Sequence, residues 1–255
     1  MMHIISILKK GIYMRNQITY KVYGKYALFT DPVTKIGAEK MSLTLPTYQA
    51  LKGITESIYF KPTIIWYIDS VRIMKPIKTE SKAVRTLKPG GGNDLSYYTY
   101  LSDVEYHVKA HFEFNMNRPD LAEDRNENKH YCIAKRCIER GGRRDIFLGA
   151  RECQAYVEPC EFDEGEGYYD NMGEMDFGLQ YHSIVYPDEQ SSHEMTVKFW
   201  YPKMVNGVIN FCRPEECPKE RVISKMTPKK FINGRNFTII DVSEFLDDAC
   251  GQRGD

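Results

Sequence analysis

The chain has no surplus of charge: 35 Lys and Arg stand against 35 Asp and Glu, so its formal net charge is zero. Taken whole, that balance counts against a protein drawn to polyanions by its overall field. A long apolar run is missing too. No stretch approaches the ~20 residues a membrane helix requires. The opening Met1-Met2-His3-Ile4-Ile5-Ser6-Ile7-Leu8 places Lys9 and Lys10 after the apolar residues, the reverse of a secretory leader. CxxC is absent. Seven cysteines, an odd number scattered along the chain, do not describe a disulfide framework. Cys132 and Cys137 are separated by four residues, as are Cys212 and Cys217. Five steps along a helix rotate by roughly 140°, so Cys132 and Cys137 point to different faces. A zinc site needs converging ligands, and none are legible. The expectation is reduced thiols in a cytoplasmic protein, with no metal.

What is present is an ordinary globular composition, 42% hydrophobic and 27% charged, over 255 residues, enough to bury a proper core. The neutral total hides an uneven distribution. Arg15 to Lys88 carries thirteen basic residues against five acids, and Lys129 to Arg144 carries six basic residues against Glu139 alone. Glu158–Asp176 restores the balance with eight acids and no Lys or Arg. Screening limits the reach of charge to ~8–10 Å, so a polyanion meets these local fields and not the sum. Such runs also serve as plain solvated faces. The acidic run cannot lie against phosphates and should face away from any bound nucleic acid.

Apolar periodicity orders the chain as β-α-β, a β insertion, then α-β. Ile18–Val22 alternates as a half-buried strand. Pro46–Tyr59 reads as a helix, with proline suited to its first turn and Leu51, Ile54 and Ile58 at helical spacing. Lys61-Pro62 ends it. Thr63–Ile68 and Val71–Ile73 are rich in β-formers and read as one strand and its continuation. Gly90-Gly91-Gly92 is a loop tip, and no Gly-Lys-Ser/Thr follows to make it a phosphate cradle. Val104 to Phe114 alternates without a fault, with His107 and His111 on the polar face. Asn128–Arg140 forms the second helix, its stripe Ile133, Ala134, Cys137 and Ile138, closed by Gly141-Gly142. Asp145–Leu148 and Cys153–Val157 follow as strands. Beyond the acidic run, Leu179–Tyr186, Met195–Tyr201 and Val208–Phe211 read as strands, the last two joined by a hairpin through Asn206-Gly207. Val242–Leu246 is a short helical candidate.

This order matches a ferredoxin-like unit, the frame on which RRM-type modules meet RNA. The expected class is α+β: a ferredoxin-like (RRM-like) N-terminal domain with a smaller antiparallel β C-terminal domain. Residues 1–13 are an N-terminal extension, 14–157 the ferredoxin-like domain, 158–217 the acidic connector and small β domain, and 218–255 a tail.

Several segments resemble the CRISPR-associated family-five proteins of the type I-C (Dvulg) system. They are Tyr26-Ala-Leu-Phe-Thr-Asp-Pro32, Pro46-Thr-Tyr-Gln-Ala-Leu-Lys-Gly-Ile54, Glu56-Ser-Ile-Tyr-Phe-Lys-Pro62, Arg118-Pro-Asp-Leu121, Lys129-His130, and Gly141-Gly-Arg-Arg-Asp-Ile-Phe-Leu-Gly-Ala-Arg-Glu-Cys153. The likeness runs collinearly from about Met14 to Glu215. It departs at Gly37-Ala38, where a glycine pair is expected. The resemblance implies a metal-independent endoribonuclease that cleaves CRISPR precursor RNA at the base of the repeat hairpin. Such a protein stays on the crRNA 5′ handle beside the backbone and large subunits of the surveillance complex, with target DNA near the PAM as a further partner. Members of other subtypes keep only the structural role, so a non-catalytic handle clamp is the alternative. A metal-dependent nuclease would need a tight Asp/Glu/His cluster, and none stands out.

The resemblance carries catalytic roles to Tyr59, Lys129 and His130. Cleavage without metal needs a base for the 2′-hydroxyl proton, an acid for the leaving 5′-oxygen and a cation for the phosphorane. Histidine, with an ordinary pKa of ~6.5, can be base or acid. Lys129 would stabilise growing phosphate charge. Tyr59, ordinarily near ~10, could orient the 2′-hydroxyl or take its proton only if cations lower it. On pattern alone each has a structural reading: a packed helix-end tyrosine, a solvated lysine, a histidine satisfied near the buried stripe. Lys35, Lys40, Arg118, Arg125, Arg143, Arg144 and Arg151 are the basic residues this reading sets on RNA.

Overall fold

The faultless alternation from Val104 to Phe114 is half of a 22-residue strand on which the fold is assembled. A computed structural model of the chain describes residues 16–31, 39–88, 90–189, 192–227, 232 and 234–235. The expectations for residues 1–13, Lys35, Gly37-Ala38 and Val242–Leu246 fall outside the described residues. In chain order the elements are β1 (Gln17–Ala27), β2 (Lys40–Met41), α1 (Tyr48–Ile58), β3 (Ile64–Ile73), β4 (Thr79–Leu87), β5 (Asn93–Phe114), α2 (Glu127–Glu139), β6 (Ile146–Phe147), β7 (Gln154–Glu158) and β8 (Glu174–Asp176). They continue with β9 (Gln180–Val185), β10 (Glu194–Trp200), β11 (Lys203–Val205), β12 (Val208–Asn210) and β13 (Lys219–Lys225).

The larger sheet runs β6-β7-β1-β5-β3-β12-β11-β8, with β2 and β4 on the first half of β5. Its pairs are antiparallel except β2 with β5. Asp103, at φ 53, separates the two halves of β5. The first half forms an arm with β4, joined on its other edge by β2, and the second lies between β1 and β3. Both helices cover one face, where Tyr20, Val22, Trp66, Ile68, Val108, Ala110 and Phe112 meet Leu51, Ile54, Ile58, Ala134 and Ile138. Each helix starts on a side-chain cap that satisfies an otherwise orphaned N–H. Thr47 accepts from Ala50 N–H (3.1 Å), and Asn126 from Lys129 N–H (3.0 Å). Gly141 and Gly142, at φ 79 and 105, end α2 by donating to Ile138 and Cys137 carbonyls.

The other face departs from expectation. His107 and His111 lie on the polar side of β5, yet they are only 3% and 8% exposed. The acidic segment covers His107. Thr19 donates to the Cys160 carbonyl (2.8 Å), His107 to the Phe162 carbonyl (3.2 Å), and Arg72 to the Gly165 carbonyl (2.9 Å) and Asp170 Oδ2 (2.7 Å). His111 Nδ1 meets Asp69 Oδ1 at 2.6 Å, and its ring stacks on Tyr67. The face on which an RRM-type module displays aromatics is therefore roofed here by the segment's backbone.

The Asn206-Gly207 turn joins β11 to β12, not Met195–Tyr201 to Val208–Phe211. Asn206 (φ 47) and Gly207 (φ 78) make the tight turn the sequence signals, but the strands on either side are three residues long. β10 instead pairs with β9 and β13 in a separate three-stranded sheet. Cys137, Cys153, Cys160, Cys212 and Cys217 are free thiols, whereas Cys132 is held in a disulfide, against the expectation of thiols throughout. No helix among the described residues is long and apolar enough to cross a membrane.

Candidate active site

Tyr59 is the residue at which α1 stops. Its backbone turns extended (φ −153, ψ 119) while its N–H still donates to Thr55. Its carbonyl accepts from Trp66 Nε1 at 2.8 Å, which pins the helix end to β3. Lys129 and His130 occupy the first turn of α2, so the caps that start and end two separate helices determine where the three side chains point. The structure brings them together. Tyr59 Oη and His130 Nδ1 are 2.8 Å apart, and His130 Nε2 is 2.8 Å from the Asp124 carbonyl.

A carbonyl can only accept, so Nε2 carries the proton. Nδ1 then offers a lone pair to the Tyr59 hydroxyl, which donates. Asp124 is the hub of this network. Its Oδ1 takes a hydrogen bond from Lys129 Nζ (2.6 Å), and its Oδ2 one from Thr63 Oγ1 (2.5 Å). Phe112 and Phe114 set ring edges against the imidazole.

All of this lies inside the protein. Tyr59, Asp124 and His130 are 0% exposed, and Lys129 is 6% exposed. Burial disfavours charge on the imidazole and lowers the His130 pKa, an effect the Asp124 carbonyl only partly offsets. Burial, reinforced by the Asp124 carboxylate, drives the Tyr59 phenol far above its ordinary range. Lys61 is lowered, again chiefly by burial. The resting network thus holds a neutral imidazole, a neutral phenol and one neutralised ion pair.

The basic residues divide by surroundings. Arg143 and Arg144 are exposed in the turn after α2. Arg144 N–H donates to the Ser57 carbonyl (3.0 Å), which sets this turn against the end of α1 beside Tyr59. Arg118 is bound to Asp120 through Nε (2.9 Å) and Nη2 (2.6 Å). Arg125 spends Nη2 on the Asn115 and Arg118 carbonyls, a structural clamp below the site. Lys40 lies over the Tyr98 ring on the β4-β5 arm. Arg151 is exposed in the turn that starts at Gly149. Lys35 lies outside the described residues.

A cleft of about 450 Å³ opens between α1 and this turn, lined by Phe29, Gln49, Gly53, Ser57, Gly149 and Tyr181 among others. Gly149 (φ +85) is required there, because a Cβ would sit 2.1 Å from the Leu28 carbonyl oxygen. Sequence reasoning missed Asp124 and Thr63. The available signal was Asp124's place two residues before the Asn126 cap, five before a lysine.

With this geometry established, the relatives can be weighed. The Cas5d model of the CRISPR-associated protein family (Cas_Cas5) matches residues 17–212. The CRISPR pre-crRNA endoribonuclease Cas5d of Mannheimia succiniciproducens is 28% identical over 221 residues, spanning 77% of this chain and 95% of that one. A crystal structure of a CRISPR-associated protein shares 37% identity at a TM-score of 0.69, covering 80% of this chain and 96% of its own. A functionally uncharacterized protein from Streptococcus mutans shares 39% identity at a TM-score of 0.67, with the same coverage. The chain belongs to the CRISPR-associated Cas5 family, in its Cas5d branch.

Proposed function

We propose that this chain is a pre-crRNA endoribonuclease that cuts CRISPR precursor RNA at the base of the repeat hairpin without metal. It then remains on the crRNA 5′ handle as a subunit of the type I-C surveillance complex. One observation carries the reading: the hydrogen-bonded line from Tyr59 Oη through His130 Nδ1 and Nε2 to the Asp124 carbonyl. The strand order β7-β1-β5-β3, with α1 after β1 and α2 after β5, supports a ferredoxin-like unit over residues 14–157. Residues 158–217 extend that sheet and supply β9 and β10 of the separate three-stranded one, which β13 completes from beyond Cys217, as the smaller β part.

The line suits proton transfer. A phenol raised this far does not wait as phenolate, so Tyr59 is a relay and not a base. As the 2′-hydroxyl oxygen attacks the neighbouring phosphorus, its proton passes to Tyr59 while Tyr59 passes its own to His130 Nδ1. The imidazolium formed can return a proton to the leaving 5′-oxygen. The products are a 2′,3′-cyclic phosphate and a 5′-hydroxyl. Lys129 trades Asp124 for a phosphate oxygen as charge builds on the phosphorane. Arg143 and Arg144 hold flanking phosphates, and docking there displaces the glycine-flanked turn so that the scissile nucleotide reaches Tyr59.

Complete burial of Tyr59 and His130 favours a second reading, a clamp that holds the handle without cutting it. Purified protein with its repeat RNA, with and without a 2′-deoxy substitution at the scissile nucleotide, separates the two. The expected result is EDTA-resistant cutting of the ribose substrate and intact, bound deoxy substrate. Cutting of the deoxy RNA would overturn the mechanism, and binding without cutting of either RNA would establish the clamp.

A further inference from the structure

A second cluster of chemically competent side chains lies where the two sheets meet, and the proposed cleavage makes no use of it. His182 is in β9, Cys212 is two residues past β12, and Cys217 follows the short turn Pro214–Glu216. One ring nitrogen of His182 and both sulfurs lie within 4.8 Å of one another. The two sulfurs are 3.8 Å apart. A disulfide would need ~2.0 Å. Two sulfurs each ~2.3 Å from one tetrahedral zinc ion are about 3.8 Å apart. The four-residue gap between the cysteines is also within the range that zinc-binding turns use.

The surroundings read as support for a ligand set. Glu216 Oε2 accepts from Arg213 N–H (3.0 Å), closing the turn that returns Cys217 to Cys212. The His182 ring is fully buried. It stacks on Tyr48 with centroids 4.3 Å apart and meets Trp200 edge-on at 5.2 Å, so its plane is fixed. Nδ1 is 2.9 Å from Ser183 Oγ, and Nε2 is 3.1 Å from the Cys212 carbonyl. A metal-bound imidazole hands its other N–H to just such an oxygen. The Cys212 carbonyl can only accept, so Nε2–H donates to it, which leaves Nδ1, beside the Ser183 hydroxyl, as the ring nitrogen with a lone pair for a cation. Two thiolates with one imidazole are a soft set that selects zinc over magnesium or calcium.

We propose that His182, Cys212 and Cys217 bind one zinc ion, with solvent as the fourth ligand, as a structural staple tying β9 of the small sheet to the end of β12 in the large one. The site stands on geometry of its own and does not depend on the cleavage reading. The test is the metal content of the full chain purified under reducing conditions. Zinc and cobalt(II) titrations of the chelator-stripped protein against a chromophoric indicator complete it. One zinc per chain is expected, with thiolate-to-cobalt charge-transfer absorption in the near ultraviolet. Cys217→Ser should lose both, and Cys137→Ser, outside the cluster, should bind as wild type. Circular dichroism checks that each variant is folded. Folded wild type that takes up no zinc, a cobalt band that survives Cys217→Ser, or a native mass two hydrogens lower from a Cys212–Cys217 disulfide would each overturn the proposal.

Discussion

Replacing Lys129 with methionine removes an ammonium that is 2.6 Å from Asp124 Oδ1 and leaves that carboxylate, itself 0% exposed, with the Thr63 hydroxyl as its hydrogen-bond donor and the neutral His130 ring 3.7 Å away. Breaking one half of a buried ion pair costs about 3–5 kcal/mol, because the abandoned charge has no water to replace its partner. For a chain of this size each kcal/mol moves the melting temperature by about 2–4 °C, so Lys129→Met should melt roughly 6–20 °C lower. Adding Asp124→Leu removes the orphaned charge, and an apolar pair of similar volume is often neutral relative to the ion pair. The double variant should therefore melt near wild type, with a coupling energy of at least ~2 kcal/mol in the cycle.

Stability and chemistry then separate. If Lys129 trades Asp124 for phosphate during the reaction, the double variant is stable and does not cut. Thermal melts of all four proteins, with single-turnover cleavage run below the lowest melting temperature, decide the matter. Wild-type cleavage by the stable double variant would make Lys129 a brace and nothing more. A Lys129→Met protein that melts like wild type would refute the electrostatic argument itself.

His130→Ala should slow single-turnover cleavage by roughly 10²–10⁴ with little change in RNA affinity, whereas Arg143→Ala with Arg144→Ala should weaken binding and flatten its salt dependence; equal affinity losses in gel-shift titrations would contradict that division. The Glu56 carboxyl is pushed up to about 7, chiefly by burial and further by Glu189 and Asp188, against the pull of Lys52. The stability it contributes is fully present below its ordinary ~4.5 and lost as pH rises through about 7. Glu56→Gln should thus stabilise by about 1–3 kcal/mol at pH 8 and hardly at pH 4, as read by urea melts; the opposite trend would show that Lys52 dominates its charge. Gly149→Ala, whose methyl would strike the Leu28 carbonyl at a positive φ, should cost more than ~1 kcal/mol and lower the melting temperature.

The helices and the second half of β5 were legible because local chemistry and burial agree there. Thr47 and Asn126 cap where the apolar stripes begin, so α1 and α2 fall within two residues of the expected bounds. β4 and the first half of β5 were not legible. Thr79–Leu87 is exposed or half-exposed throughout, so no buried face imprints a period on it. β8, β11 and β12 are three residues long, too short for alternation to register, and the Asn206-Gly207 turn was assigned to the wrong strands for that reason. Tyr59 and His130 are 71 residues apart in sequence, and only the resemblance linked them. Locally Asp124 differs from Asp120 and Glu123 only in its distance from the Asn126 cap, and what singles it out is burial against Thr63 and Lys129. His182 meets Cys212 and Cys217 only once β9 and β12 are placed.

The covered sheet face constrains where RNA can run. The segment from Cys160 to Asp170 lies over β1, β5 and β3, tied down through its own carbonyls by Thr19, His107 and Arg72. Of its acids, Glu161, Asp163, Glu164 and Glu166 are exposed while Asp170 is matched by Arg72, as Glu158 at the end of β7 is by Lys21. A phosphate within 4 Å of an unmatched carboxylate costs about 1 kcal/mol even in bulk water, and a strand crossing the roof would make several such contacts. The exposed cations Arg143, Arg144 and Arg151 lie instead in the turns after α2 and before β7, beside the cleft at Ser57 and Gly149. In the proposed complex the handle therefore runs along the edge where the α1 end meets these turns, past Tyr59. The acidic roof is left to face solvent or a basic patch on a neighbouring subunit.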